Sequence, residues 1–239
     1  MTARPEPLAP DRMRADADAP LRVVRPGRVD YLEAWAWQRA LVEARRAGTG
    51  PDTLLLLEHP AVYTLGKRAD RTHVLFDAAA RDARGIALVD VDRGGDVTYH
   101  GPGQLVGYPI IKLASLRGVI GYIRALEEVV IRVLATYDLE ARRIPDLTGV
   151  WIADEKIAAI GVRVASGGVT SHGFALNVHP NAEHFTGIVP CGIDDRGVCS
   201  LAGLGIDTNL DEVADRVERT VAELFVATLE PMSLDEIGR

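Results

Sequence analysis

Three apolar segments that follow one another closely, residues 149–152, 157–164 and 169–178, constrain the fold of this chain most. The first connection between them contains Asp and Glu, the second Ser and two Gly, and turns this short join neighbouring antiparallel strands. In the middle segment Ile160, Val162 and Val164 alternate with other residues, which is the period of a half-buried strand. The sequence therefore predicts a run of adjacent strands in its second half.

Helical patterns occur on both sides of this run. Apolar residues recur at helical spacing over residues 31–46, after a capping Asp30, over residues 118–137, and again from about residue 208. A buried strand is predicted over residues 53–57. Because strands and helices mix without strict alternation, we expect an α+β fold, with a mixed, largely antiparallel sheet flanked by helices.

Composition limits the domain organisation and the class of partner. A chain of 239 residues that is 47% hydrophobic can form one large domain, predicted over residues 21–239. Residues 1–20 contain four prolines and few apolar side chains, so we expect a flexible tail. The net charge of −7 disfavours a nucleic-acid surface, and no apolar run is long enough for a membrane span. Two cysteines indicate a reducing compartment.

The segment of residues 93–104 is the richest in glycine, with four glycines among large polar residues. Glycine permits a positive φ and lets a ligand approach main-chain N–H groups closely. The segment lacks the Gly-Lys-Ser/Thr of a phosphate-binding loop and the GxGxxG of a dinucleotide site. A β-turn between two strands explains the glycines alone, but such a turn does not need Arg93, Tyr99, His100 and Gln104.

Cys191 is a candidate nucleophile because it lies between Pro190 and Gly192, where a tight and accessible turn is expected. A thiol needs a cationic or basic neighbour to ionise at neutral pH, and Lys156, His100 and His172 are the candidates. Each also has a structural interpretation: an incidental loop cysteine, a solvated lysine, or a buried hydrogen-bonded histidine. Without CxxC or HExxH we expect no metal site.

Taken together, these segments closely resemble the octanoyltransferases of lipoate biosynthesis. The resemblance rests on RGGDVTYHGPGQLVGYP at 93–109, KIAAIGVRV at 156–164, HGFALNV at 172–178 and PCGI at 190–193, and EHPAVYTLGKR at 58–68 adds to it. It covers about residues 22–230. It implies the fold of the biotin and lipoate protein ligase catalytic domain, and transfer of an octanoyl group from acyl carrier protein to a lysine of a lipoyl domain.

The resemblance also assigns the site residues. Cys191 carries the acyl group as a thioester, and Lys156 lowers the pKa of its thiol. His172 and His59 are supporting residues, and Cys199 stands where Thr or Ser is expected. The substrate-binding residues are Arg93, Gly94, Gly95, Asp96, Val97, Thr98, Tyr99, His100, Ala159, Ile160, Gly161, Gly173, Phe174 and Ala175.

From this chemistry we expect a two-step reaction with a covalent intermediate. Main-chain N–H groups near Cys191 or His172 are expected to stabilise the oxyanion, and Lys156 or His100 to accept the proton of the incoming amine. The donor is octanoyl-acyl carrier protein. The acceptors are the lipoyl domains of 2-oxoacid dehydrogenases and the glycine cleavage H protein. We expect a cytoplasmic monomer without a cofactor.

Three other functions remain open from the sequence. An ATP-dependent lipoate–protein ligase has a related fold but activates a free acid. A cysteine hydrolase would release the acyl group to water. A non-catalytic acyl-binding module would keep the binding slot without turnover.

Overall fold

The computed structural model describes residues 13–115, 118–189 and 196–237. Within them are four α-helices: α1 (Tyr31–Ala47), α2 (Ala78–Asp82), α3 (Val119–Ala135) and α4 (Leu210–Leu224). The strands are β1 (Leu21–Arg28), β2 (Thr53–Glu58), β3 (Val62–Leu65), β4 (Ala87–Asp90), β5 (Val97–His100), β6 (Gln104–Ile110), β7 (Ala141–Ile144), β8 (Leu147–Ile152), β9 (Glu155–Val164), β10 (Thr170–Asn177) and β11 (Leu229–Pro231).

An eight-stranded mixed sheet, in the order β11-β1-β2-β6-β10-β9-β8-β7, forms the body of the described chain. The pairings β11–β1 and β1–β2 are parallel, whereas every pairing from β2 to β7 is antiparallel. A second sheet has the order β4-β3-β5. This architecture confirms the predicted α+β class with a largely antiparallel sheet, and the three strands predicted in succession are β8, β9 and β10.

The large sheet lies between two helical layers because its strands bury alternate residues on opposite faces. In β2, Leu54 and Leu56 pack with α3 and α4, whereas Leu55 and Leu57 pack with α1. All four leucines are at most 2% exposed, so the apolar run predicted as a buried strand is buried on both faces.

The helices begin and end where the sequence provides the caps. Asp30 accepts hydrogen bonds from the backbone N–H groups of Leu32 and Glu33 at the start of α1. Gly48 ends that helix with a φ of 75°, a conformation that glycine adopts without strain. At α4 the capping side chain is Asn209, which accepts from the N–H of Glu212. Among the described residues, no helix is both long and apolar enough to cross a bilayer.

In the described part of the predicted tail, residues 13–20, the first two side chains pack on the body and residues 15–19 are exposed. Met13 is fully buried in the core beneath α3 and α4, and the Arg14 guanidinium is paired with the buried Asp52 at 2.8 Å. The expected flexible start therefore does not include Met13 and Arg14, because one apolar and one ion-paired side chain hold them in place. Residues 1–12 lie outside the described residues, and the boundary at residue 20 stays a prediction.

Candidate active site

A cavity of about 470 Å³ lies between the two sheets, with β9 and β10 forming one wall. The glycine-rich segment between β4 and β5 lines another side of the cavity. It is held against β9, because the N–H of Gly94 donates to the carbonyl of Val162 at 3.0 Å. The Arg93 side chain anchors this segment to β3. Its Nη2 donates to the Thr64 carbonyl at 2.7 Å, and its Nε donates to the Thr64 hydroxyl. The loop is thus held in position by hydrogen bonds to both sheets.

The cavity wall brings together most of the residues proposed from the sequence. All of the proposed substrate-binding residues except Val97 and Tyr99 line it, as do Lys156 and His172. Residues far apart in the chain meet here because β9 and β10 pair with Gly161 opposite Gly173 and Ala159 opposite Ala175. Close packing needs those glycines, since a Cβ on Gly173 would lie 2.1 Å from the Gly107 carbonyl oxygen.

Val97 and Tyr99 do not line the cavity, contrary to the expectation. They lie in β5, where successive side chains point to opposite faces. Thr98 and His100 therefore reach the cavity, whereas Val97 and Tyr99 are buried in the small core beside β3. The Tyr99 hydroxyl lies 2.9 Å from Nδ1 of His184 instead.

His59 also lies outside the cavity and supports its wall from behind. Its ring is fully buried, with Nδ1 2.8 Å from the Val29 carbonyl and Nε2 2.8 Å from the hydroxyl of Tyr108, which lines the cavity. Burial lowers the pKa of His59 to about 4, so the ring is neutral. His59 therefore holds Tyr108 without facing the cavity itself.

His172 is held in the wall by an unusual backbone conformation and two hydrogen bonds. It has a φ of 56°, which is uncommon for a residue other than glycine, and it is 1% exposed. Its backbone N–H donates to Oε1 of Gln38, and its Nε2 lies 2.8 Å from Oδ1 of Asp92. Burial lowers the pKa of His172, and the hydrogen bond to His172 lowers that of Asp92, which also pairs with Arg163.

Two expectations about the chemistry change with this geometry. The N–H of His172 is occupied by Gln38, and His172 pairs with Val162, six residues from Lys156 along β9, or about 20 Å of extended strand. His172 is therefore badly placed to stabilise an oxyanion near Lys156. Burial, with His59 and Arg93 nearby, holds the pKa of His100 well below its usual value, so His100 is a poor proton acceptor.

Lys156 lies at the start of β9, at the end of the cavity wall away from His172. It is 6% exposed, and its Nζ lies 4.8 Å from the centroid of the Trp151 ring. Its backbone N–H donates to the Gly197 carbonyl at 2.9 Å, and its own carbonyl accepts from the N–H of Cys199 at 3.1 Å. Lys156 is thus fixed to the segment that follows Cys191 in the sequence.

Cys191 itself lies outside the described residues, within residues 190–195. The chain on either side of that stretch is tied to the cavity. Before it, the N–H of Val189 donates to the carbonyl of His73, whose ring lies 2.5 Å from the cavity-lining Asp96. After it, Gly197 pairs with Lys156.

Cys199, the second cysteine, has surroundings unsuited to a nucleophile. Burial, with the charge of Glu155 nearby, raises the pKa of its thiol to about 11. Its Sγ lies 3.7 Å from the Glu155 carbonyl. The thiol therefore stays protonated at neutral pH and reacts slowly.

Several wall residues were not singled out from the sequence. Tyr31 follows the cap of α1, and Tyr108 lies in an apolar strand. Asp92, which precedes the glycine-rich segment, does not line the cavity but contacts the wall residue His172. Asp92 beside Arg93-Gly94-Gly95 was the one visible signal, because a carboxylate there can orient a histidine. Among the described residues, no cluster of three or more His, Cys, Asp or Glu is placed to hold a metal ion.

Known proteins resemble this chain over most of its length. Residues 30–222 match the model of the lipoyl protein ligase A/B catalytic domain. An octanoyltransferase of Chloroflexus aggregans is 51% identical over 209 residues, which cover 86% of this chain and 95% of that protein. An octanoyltransferase of Synechococcus elongatus is 48% identical over 217 residues, covering 90% and 91% respectively.

The fold is shared with a more distant solved structure. Lipoate-protein ligase A bound with ATP superposes with a TM-score of 0.77 at 19% identity, covering 92% of this chain and 90% of that one. At that identity the likeness concerns the fold.

Proposed function

This chain belongs to the family of lipoyl protein ligase A/B catalytic domains, and we propose that it is an octanoyltransferase acting in protein lipoylation. Relatives about half identical over most of their length bear that name. The observation that carries the proposal is the cavity, whose wall brings Lys156 and the glycine-rich segment onto one surface with the small and apolar residues of β9 and β10.

The acyl chain lies in this cavity. Ala159, Ile160 and Phe174 supply apolar contacts, and Gly161 and Gly173 let neighbouring backbone pack closely behind them. Burial of methylene groups contributes roughly 0.8 kcal/mol each, so an octanoyl chain gains substantial binding free energy there. A substrate whose polar end reaches Lys156 presents its carbonyl near the chain that carries Cys191.

In the first step the Cys191 thiolate attacks the thioester carbonyl of the octanoyl-acyl carrier protein. The bond to the carrier sulfur breaks, the carrier sulfur takes a proton from the Lys156 ammonium and leaves as a thiol, and the octanoyl group remains on Cys191 as a new thioester. The Lys156 ammonium stabilises the attacking thiolate, since a neighbouring cation favours the ionised thiol. Main-chain N–H groups near Cys191 stabilise the oxyanion.

In the second step the amine of a lipoyl-domain lysine attacks the octanoyl thioester. An amide bond forms, and the Cys191 sulfur leaves as a thiolate, while Lys156, neutral after the first step, can take a proton and restore the ion pair. The incoming amine loses a proton, for which we favour Lys156 over His100 because the surroundings of His100 oppose its protonation. The acceptors are lipoyl domains of 2-oxoacid dehydrogenases and the glycine cleavage H protein, reached in the cytoplasm by a monomeric enzyme.

Intact-mass spectrometry with octanoyl-acyl carrier protein tests the covalent step. The wild type and Cys199→Ser are expected to gain one octanoyl group, whereas Cys191→Ser gains none. The two variants make the same substitution at the two cysteines of the chain, so each serves as the control for the other. An adduct that persists in Cys191→Ser and disappears in Cys199→Ser would overturn the assignment.

A lipoate–protein ligase is the second candidate, favoured by the fold shared with lipoate-protein ligase A. A ligase would modify a lipoyl domain from free octanoate and ATP, without a carrier protein. We expect transfer from octanoyl-acyl carrier protein without ATP and no modification from octanoate plus ATP. The reverse result would replace the proposed transferase by a ligase, and a stable acyl complex without transfer would indicate a binding module.

A further inference from the structure

The indole ring of Trp151 lies against the Lys156 side chain across the β8–β9 hairpin. The two residues are paired in the strand register, and Nζ of Lys156 is 4.8 Å from the ring centroid. A cation within about 6 Å of an aromatic face is attracted by the negative potential above the ring, most strongly for Trp. Trp151 is 1% exposed, so its ring is held firmly by packing.

The Lys156 side chain is buried, and no described carboxylate forms an ion pair with it. Among the described residues, no Asp or Glu oxygen lies within 4 Å of its Nζ, although a buried ammonium needs a partner for its charge. Within the part of the chain that the structure describes, the charged or titratable groups on the surrounding elements include Glu127 on α3, Asp146 between β7 and β8, Asp154 and Glu155 at the β8–β9 turn, and Arg196 and Cys199 beyond it.

The two carboxylates of this group that form ion pairs are engaged by arginines. Glu127 is fully buried and pairs with Arg124 and Arg143. Asp154 pairs with Arg142 and Arg196. Arginines therefore balance the negative charge of Glu127 and Asp154, whereas Asp146 and Glu155 are exposed to solvent. The Trp151 ring is a close and buried electrostatic partner of Lys156 in the described part of the site.

Strand β8 also supports the stem of the lysine. A Cβ on Gly149 would lie 3.5 Å from Cε of Lys156 and 2.8 Å from the Ala158 carbonyl oxygen, so the stem packs on a bare stretch of backbone. The N–H of Gly149 donates to Oε1 of Glu127, which fixes that backbone. The backbone of Lys156 is held by Gly197. The stem and the backbone of Lys156 are therefore fixed by β8 and by Gly197. Only the position of the ammonium group at the end of the side chain remains to be determined.

We propose that Trp151 is a positioning residue for octanoyl transfer, whose indole face holds the Lys156 ammonium at the end of the cavity where it stabilises the Cys191 thiolate. The inference rests on the proposed role of Lys156. The same ring also contacts Arg196, whose guanidinium carbon lies 5.8 Å from the centroid, but Asp154 compensates that charge at 2.8 Å. An Arg196→Gln variant therefore separates any contribution of Arg196.

The test is the pH at which Cys191 is half-maximally alkylated by iodoacetamide, measured in a Cys199→Ser background. Lys156→Ala is expected to give the largest upward shift of this midpoint, and the other variants are compared with it. Trp151→Leu, which removes the aromatic face, is expected to shift it upward by roughly half a unit to one and a half units. Trp151→Phe keeps a face and should shift it by less than half as much, and Arg196→Gln should leave it near the wild type.

Fluorinated tryptophan keeps the test informative if Trp151→Leu does not fold. Successive fluorine atoms weaken the negative potential of the ring face and preserve its shape. Labelling also affects Trp35 and Trp37, so a labelled Trp151→Phe protein is the control. We expect the alkylation midpoint to rise with the number of fluorines in the wild type and to stay constant in that control.

The outcomes separate the inference from the function on which it rests. If Lys156→Ala leaves the midpoint unchanged, the proposed pairing of Lys156 with Cys191 fails, and the role of Trp151 fails with it. If Lys156→Ala shifts the midpoint and both Trp151→Leu and fluorination leave it unchanged, Trp151 is only a core residue and the transferase proposal stands. A purely structural effect of Trp151→Leu would lower the melting temperature without moving the midpoint.

Discussion

Acid should destabilise this protein through His59, a fully buried histidine behind the cavity wall. The Val29 carbonyl can only accept a hydrogen bond, so Nδ1 of His59 donates to it. In the neutral ring Nε2 then accepts from the Tyr108 hydroxyl. Both ring nitrogens are satisfied without a positive charge, and protonation would place an uncompensated charge in the core.

The magnitude follows from the difference between the folded and unfolded chains. Burial lowers the pKa of His59 to about 4, whereas an unfolded chain titrates near 6.5. Between those values the unfolded state binds more protons, so the free energy of unfolding decreases as the pH falls. This one group lowers it by about 2 kcal/mol between pH 7 and pH 5.

Urea unfolding followed by circular dichroism at pH 7, 6 and 5 measures this effect when His59→Asn is compared with the wild type. Asparagine retains a donor for the Val29 carbonyl but does not titrate. At pH 7 the variant is less stable than the wild type because it loses the contact with Tyr108. Its free energy of unfolding should nevertheless fall by about 2 kcal/mol less than that of the wild type between pH 7 and pH 5.

The matched control is His179→Asn, because His179 is exposed in the loop after β10. It should reproduce the pH dependence of the wild type. Parallel stability curves for the wild type and His59→Asn would refute the reasoning, since they would mean that His59 gains its proton equally in the folded and unfolded chains.

Two further predictions test the packing around the cavity. Gly173→Ala should destabilise the protein by about 1–3 kcal/mol in urea unfolding and reduce octanoyl transfer, because its Cβ would lie 2.1 Å from the Gly107 carbonyl oxygen. The control is Gly203→Ala, whose Cβ has its nearest contact at 3.2 Å with a side-chain hydroxyl. Equal stabilities of the two variants would contradict the packing argument. Arg14→Ala should cost about 1.5–3 kcal/mol, because the buried Asp52 loses one charged hydrogen-bond partner and keeps Arg45. Loss of less than 1 kcal/mol would mean that residues 13–20 contribute little to the folded body.

Local patterns were sufficient to predict much of the fold. The capping Asp30, the apolar spacing of α1 and α3, and the leucines of β2 each depend on neighbours in sequence, and each predicted element is present. Strand β1 was not predicted, because LRVVRPGR contains Pro and Gly and makes its parallel pairs with β2 and β11. Parallel partners lie far along the chain, so no local pattern specifies them.

The candidate site divides in the same way. Glycines among polar residues identified the loop of residues 93–96, and the resemblance identified the segments that line the cavity. The orientation of Val97 and Tyr99 was not evident, because the face that a strand residue occupies depends on which sheet the strand joins. The pairing of His172 with Asp92 was equally hidden, since 80 residues separate them.

The sequence by itself determined the class of fold, the family and the chemical types available to the site, because composition, spacing and motif are properties of neighbouring residues. Only the tertiary structure decided which of those groups are neutral, which face the cavity, and that Trp151 lies against Lys156. The physical reason is that burial and electrostatic environment come from contacts between distant parts of the chain, and those contacts exist only once the sheets have assembled.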